Sequence, residues 1–237
     1  MIGRITNILP RKNELIRPAV ANIDNVFFVN CIVQPAIDLL YMDKFLFCAA
    51  AANINVTIIL NKTDLLEYPP DDIINIYEEI GYTVLQTNIK DEKTICAIED
   101  IAENKISVFA GQSGVGKSSI MQILFPDKHF AVRELSKSLL RGKNTTTATS
   151  LLQLPNGGYI ADSPGFSVFD TPDIAPQFVA SYFIDIADIL DDACCKFSDC
   201  SHINEPDCCV KGNIAESRYK SYLAIYDEMT ARSKVFR

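Results

Sequence analysis

Residues 111 to 119 read Gly-Gln-Ser-Gly-Val-Gly-Lys-Ser-Ser, and few stretches constrain a fold as tightly. Gly111, Gly116, Lys117 and Ser118 complete G-x-x-x-x-G-K-[ST], the pattern of a loop that cradles a polyphosphate. The flanks suit it. Ile106 to Ala110 is a short apolar run expected to be a buried strand, and Ser119 to Phe125 has apolar residues at helical spacing, stopped by Pro126. Glycines let the backbone wrap the phosphates, while its N–H groups and the following helix N-terminus supply donors and positive potential. The donors are expected from Gly111, Gln112, Ser113, Gly114, Val115, Gly116 and Ser119, with Lys117 on the β- and γ-phosphates and the Ser118 hydroxyl on Mg²⁺.

Upstream of this loop, strand and helix patterns alternate. Val26–Val29, Val56–Leu60 and Thr83–Gln86 read as strands. Ala36–Ala52, Asp71–Ile80 and Thr94–Ala102 read as helices, the second ended by Gly81. Such alternation predicts an α/β fold with a doubly wound, mostly parallel sheet. Before it, Gly3–Leu9 and Asn13–Ile16 are expected to be strands about Pro10-Arg11-Lys12, and after it Leu151–Leu154 and Tyr159–Asp162 form a hairpin. From Gln177, and again beyond Lys211, the pattern is helical. Turn residues near 170 to 177 suggest a division into 1–20, 21–172 and 173–237.

Asn61-Lys62-Thr63-Asp64 follows the strand Val56–Leu60 directly and so faces the crevice at the carboxyl ends of the strands. The Asp64 carboxylate is suited to accept two hydrogen bonds from guanine, where adenine presents the opposite pattern; an unpaired donor with the wrong base makes such a site selective for GTP. Asn61 would tie this loop to the phosphate loop, the Lys62 stem would pack on the purine, and Thr63 is counted with them among the nucleotide-binding residues. Asp162-Ser-Pro-Gly165 also ends a strand; there Asp162 would hold Mg²⁺ through water and the Gly165 N–H would sense the γ-phosphate. Between them lies Arg141-Gly-Lys-Asn-Thr-Thr-Thr147, from which Thr146 is chosen to complete the Mg²⁺ shell, Thr145 and Thr147 being alternatives.

Motif order sets the topology. An ordinary GTPase has its phosphate loop first and its Asn-Lys-x-Asp late, whereas Asn61 precedes Gly111 by fifty residues here. The same sheet is entered at a different strand, as a circular permutation allows.

Five of the eight cysteines fall between Cys194 and Cys209. Cys195, Cys200, His202 and Cys208 have the spacing C-x₄-C-x-H-x₅-C, a donor set suited to a tetrahedral structural zinc, with Cys194 and Cys209 competing for assignment. Cys31, Cys48 and Cys96 are expected to be buried thiols. Hydrophobic content of 48% fits a sizeable core, and the longest apolar stretch, Pro35 to Ala52, is broken by charges and too short for a span. Without a leader pattern near Met1, a cytoplasmic location and no membrane partner are expected. A net charge of −8 makes nucleic-acid contact a matter of local patches.

These permuted motifs followed by the Cys/His segment resemble the ribosome small subunit-dependent GTPase A family, on Arg17 to Asp24, Asn61 to Asp64, Gly111 to Ser119, Thr145 to Thr147, Asp162 to Gly165 and Cys195 to Val210. The resemblance implies a monomeric enzyme that hydrolyses GTP to GDP with Mg²⁺ in late maturation of the small (30S) ribosomal subunit, with the subunit and its 16S rRNA as partners. Members of that family usually start with an OB-fold barrel, and here the sequence departs from them, since residues 1–18 look like only its last strands. Catalysis would involve Lys117, Thr146 and Asn144, the last standing where the family has histidine. With Phe166 rather than glutamine after Gly165, hydrolysis is expected to lean on the partner. A GTP-gated module with negligible hydrolysis is the alternative.

Overall fold

The computed structural model describes residues 6–15, 20–90, 92–128, 150–162, 171–192 and 195–235. The long strands form where β-branched and aromatic residues run together: β3 (Asn25–Cys31) is buried along its whole length and β4 (Asn55–Asn61) from Thr57 onward. With β5 (Thr83–Thr87), β6 (Ile106–Ala110), β7 (Ser150–Gln153) and β8 (Tyr159–Asp162), they form one sheet in the order β5-β4-β3-β6-β8-β7. All neighbours run parallel except the edge pair β7–β8.

Side-chain alternation along β3 explains why helices cover both faces. Val26 and Phe28 point into one core with α1 (Leu39–Ala51) and α2 (Asp71–Glu79). Phe27 and Val29 point into the other with α3 (Glu92–Ala102) and α4 (Lys117–Leu124). The first core continues into α5 (Ile184–Asp192) and α6 (Glu216–Val235), which contribute Ile186, Tyr222, Ile225 and Met229.

One buried cation fastens these helices. The Arg218 guanidinium of α6 donates to both oxygens of Asp185 on α5, at 2.9 and 3.0 Å, and to Asp43 on α1 at 2.5 Å. Tyr77 of α2 donates its hydroxyl to the same Asp43 oxygen at 2.8 Å, and the Phe183 ring lies 4.8 Å from the guanidinium carbon. Burial pushes the Asp43 carboxyl upward while Arg218 opposes it. Nearer the surface Lys44 of α1 pairs with Glu228 of α6 at 2.6 Å.

The described residues correct four expectations. Residues 6–9 of the first expected strand hold none; within the second, Asn13–Ile16, β1 (Glu14–Leu15) forms and pairs with β2 (Val20–Ala21). Ile8 and Leu9 are 87% and 78% exposed, so no core rewards an extended pairing there. Helix α1 starts at Leu39, not Ala36, because Val33 and Ala36 form a β-bridge and the Asp38 side chain then caps the helix through the Tyr41 N–H at 3.0 Å. Helix α4 starts at Lys117, two residues before the apolar pattern at Ser119, and ends at Leu124; Ile120, Met121 and Leu124 face inward. Cys31 and Cys48 are buried, but Cys96 lies on the exposed side of α3. Among the described residues no helix is long and apolar enough to cross a membrane.

A phosphate loop, a base loop and a cysteine knuckle

The phosphate loop leaves the sheet at Ala110 and enters α4 at Lys117, beside the carboxyl end of the central strand β3. Two of its glycines are required by their neighbours. A side chain at Gly111 (φ 133°) would run into the Val29 carbonyl of β3, and one at Gly116 (φ 100°) into the Asn61 amide. Lys117 folds back over the loop, donating to the Gly111 and Gln112 carbonyls at 2.7 Å each, and burial pulls its pKa down to about 8. Val115 is buried, Ser113 and Gly114 are exposed, and Ser118 and Ser119 occupy the half-buried first turn of α4, where the Ser119 N–H donates to the Gly116 carbonyl at 3.1 Å.

Asn61, the last residue of β4, lies across β3 from this loop and reaches it: Nδ2 donates to the Val115 carbonyl at 2.8 Å. The Cys31 thiol, at the end of β3, donates to the same carbonyl at 3.3 Å. Asn61 is held from behind by Thr87, whose hydroxyl donates to Oδ1 at 2.9 Å, and the Thr63 hydroxyl donates to the Thr87 carbonyl. Lys62, in the left-handed region (φ 62°), donates to the Gln34 and Gly114 carbonyls, so its stem spans from the base loop to the phosphate loop. Asp64 meets the Lys90 ammonium at 2.9 Å. Thr87 and Lys90 were not anticipated from sequence. The register that sets Thr87 beside Asn61 emerges only once β4 and β5 are paired, and Lys90 follows in the loop after β5.

Asp162 ends β8, which runs parallel to β6, so its backbone lies at the same edge of the sheet as Gly111. Asn144, Thr145, Thr146, Thr147, Gly165 and Phe166 lie outside the described residues, as do Arg17 to Ala19 and Cys194.

The donor atoms of Cys195, Cys200, His202 and Cys208 lie within 4.8 Å of one another, a group that can hold a metal ion. Cys195 Sγ and Cys208 Sγ each stand 3.5 Å from His202 Nδ1. Tetrahedral zinc with ordinary Zn–S and Zn–N lengths puts sulfur and nitrogen about 3.6 Å apart, so the set fits that ion. Burial lowers the His202 pKa, which favours the neutral imidazole that coordinates metals. Glu205 shapes the segment by accepting from the Ser201 N–H and hydroxyl and from the N–H groups of Ile203 and Asn204, which holds its carboxyl down at about 2. Tyr219 and Tyr222 of α6 donate to the His202 and Ser201 carbonyls at 2.8 and 2.7 Å.

A mostly parallel sheet with a G-x-x-x-x-G-K-S loop, in which the strand ending in Asn-Lys-Thr-Asp comes earlier in the chain, matches the architecture of a circularly permuted GTPase. The chain belongs to the RsgA GTPase family, whose model matches residues 8–172. Curated relatives include the small ribosomal subunit biogenesis GTPase RsgA of Alkaliphilus metalliredigens, 40% identical over 96% of this chain and 79% of that one. The protein of the same name from Thermotoga maritima is 39% identical over 98% of this chain and 80% of that one. Among solved structures, YjeQ from Thermotoga maritima superposes with a TM-score of 0.78 at 35% identity, covering 94% of this chain and 77% of that chain. YloQ, described as a circularly permuted GTPase, gives 0.76 at 34%, covering 95% and 75%.

Proposed function

We propose that this GTPase hydrolyses GTP in the biogenesis of the small ribosomal subunit, working in the cytoplasm as a monomer in contact with the 30S subunit and its 16S rRNA. The names of its relatives support the process, and the observation that carries the nucleotide chemistry is the Asn61–Val115 bond. Through it the strand end that would select guanine and the loop that would hold the phosphates form one rigid unit, so base identity and phosphate position are read together. Asp64 accepts from the guanine edge, and Lys62 supplies the wall over the purine. Lys117, the backbone of residues 111–116 and the first turn of α4 bind the phosphates. Ser118, Thr146 and Asp162 are the residues that would hold Mg²⁺, which neutralises charge developing on the phosphoryl oxygens. Gly165 senses the γ-phosphate, and Asn144 positions water by hydrogen bonding, having no basic nitrogen with which to take its proton. Cys195, Cys200, His202 and Cys208 hold a structural zinc.

Single-turnover hydrolysis of GTP, with and without purified 30S subunits, tests this function. Turnover raised on the order of 10²-fold or more by subunits is expected, since positioning of water is left to the partner. Equal rates at saturating subunits would instead favour a GTP-gated binding module, and ATP consumed as readily as GTP would remove the role given to Asp64.

A further inference from the structure

Four donors complete the metal group, yet a further thiol stands against it. Cys209 Sγ lies 3.2 Å from Cys195 Sγ, nearer than either sulfur neighbour of His202 lies to its ring nitrogen. We propose that Cys195 and Cys209 form a peroxide-sensitive dithiol that couples retention of the metal to oxidation; this rests on the zinc site proposed above. Both residues are half-buried, so a molecule as small as hydrogen peroxide can reach them. The backbone keeps them adjacent, with the Cys209 carbonyl fixed by Asn213 Nδ2 at 2.9 Å and the intervening turn closed by Glu205. From 3.2 Å the sulfurs need approach by only about 1.2 Å to reach disulfide length, within the range of side-chain rotation.

The chemistry balances with peroxide as the oxidant. When the metal is bound it shields the Cys195 sulfur, so Cys209 outside the four-donor group is the first to react. Its sulfur attacks one peroxide oxygen, the O–O bond breaks, and a sulfenic acid and water result. The Cys195 sulfur, on leaving the donor group, then attacks the Cys209 sulfur; the S–S bond forms, the S–O bond breaks, and the departing hydroxide takes a proton from solvent to leave as a second water. Two thiols lose two electrons and the peroxide gains them. Cys195 is thereby withdrawn from the donor group, leaving Cys200, His202 and Cys208, and three donors retain zinc more weakly than four.

The test uses the full chain loaded with zinc and treated with hydrogen peroxide. The thiol titre should fall by about two per chain, a peptide cross-link should join Cys195 to Cys209, and zinc should pass to a chromogenic chelator in step with it. Reductant with added zinc should restore both thiols and metal. Cys209→Ser should keep its zinc, lose the cross-link and release metal at least about tenfold more slowly. Cross-links to other cysteines instead, or zinc released from Cys209→Ser at the unaltered rate, would overturn the proposal. If the purified chain takes up no zinc, the metal assignment fails by itself, and the cross-link in that metal-free chain still decides whether the dithiol exists.

Discussion

At the scale of single residues, burial and charge meet most sharply at Lys117. Burial takes its ammonium out of water and pulls the pKa down to about 8, against an ordinary 10.5, although the Gly111 and Gln112 carbonyls accept from it. A polyphosphate would favour the charged form strongly, so above pH 8 the ligand-free amine must recover a proton as nucleotide binds. GDP affinity should therefore decline as pH rises from about 8 towards 10, with net proton uptake measurable by calorimetry in two buffers of different ionisation enthalpy. Zero uptake at pH 9 would show that Lys117 stays charged without ligand. Folding has the opposite sign: between 8 and 10.5 the unfolded chain binds more protons, so this residue's contribution to stability rises with pH. Sequence alone placed Lys117, Asn61 and the glycines, because each belongs to a short motif whose chemistry needs that residue type. It could not place Thr87 or Lys90, which matter through strand register and a loop closure across 26 residues.

At the scale of elements, α6 is held by an ion triad that no local pattern announces. Arg218 is 175 positions from Asp43 and 33 from Asp185, and all three side chains are almost wholly buried. The long strands were legible because apolar runs bounded by turn residues carry their own signal, as did α2, closed by Gly81. The start of α1 was not, since Ala36 has a helical propensity that its bridge to Val33 overrides. The triad has a plain energetic consequence. Removing Arg218 strands two buried carboxylates, and loss of one partner from such a group costs about 3–5 kcal/mol. Arg218→Met should lower the stability measured by urea unfolding by about that much, and adding Asp43→Asn and Asp185→Asn should recover part of it. A loss below about 1 kcal/mol for the single change would mean the carboxylates find water or protons instead.

At the scale of the whole molecule, permutation places the nucleotide loops and the cysteine knuckle at opposite ends of one mechanical connection. The knuckle hangs on α6 through the Tyr219 and Tyr222 hydroxyls, α6 is fastened to α1 and α5 through Arg218, and α1 follows β3, whose end touches the phosphate loop through Cys31. Removing the proposed zinc would leave three thiols and an imidazole to their own hydrogen bonds, so the segment 195–208 should loosen first and α6 should lose two anchors. The phosphate loop should be affected little, because its own ties run through Asn61, Lys62 and Thr87 on the sheet rather than through the knuckle. Chelation should therefore lower the melting temperature by several degrees, roughly 2–4 °C for each kcal/mol lost in a chain of this size. GDP affinity should change by less than about threefold, a limit equal to some 0.7 kcal/mol. Hydrogen exchange should rise at residues 195–208 and in the first turns of α6 before it rises in β3 or β6. A large loss of GDP binding on chelation, with the melting temperature unmoved, would show that the knuckle acts on the nucleotide loops by a route other than α6 and Arg218.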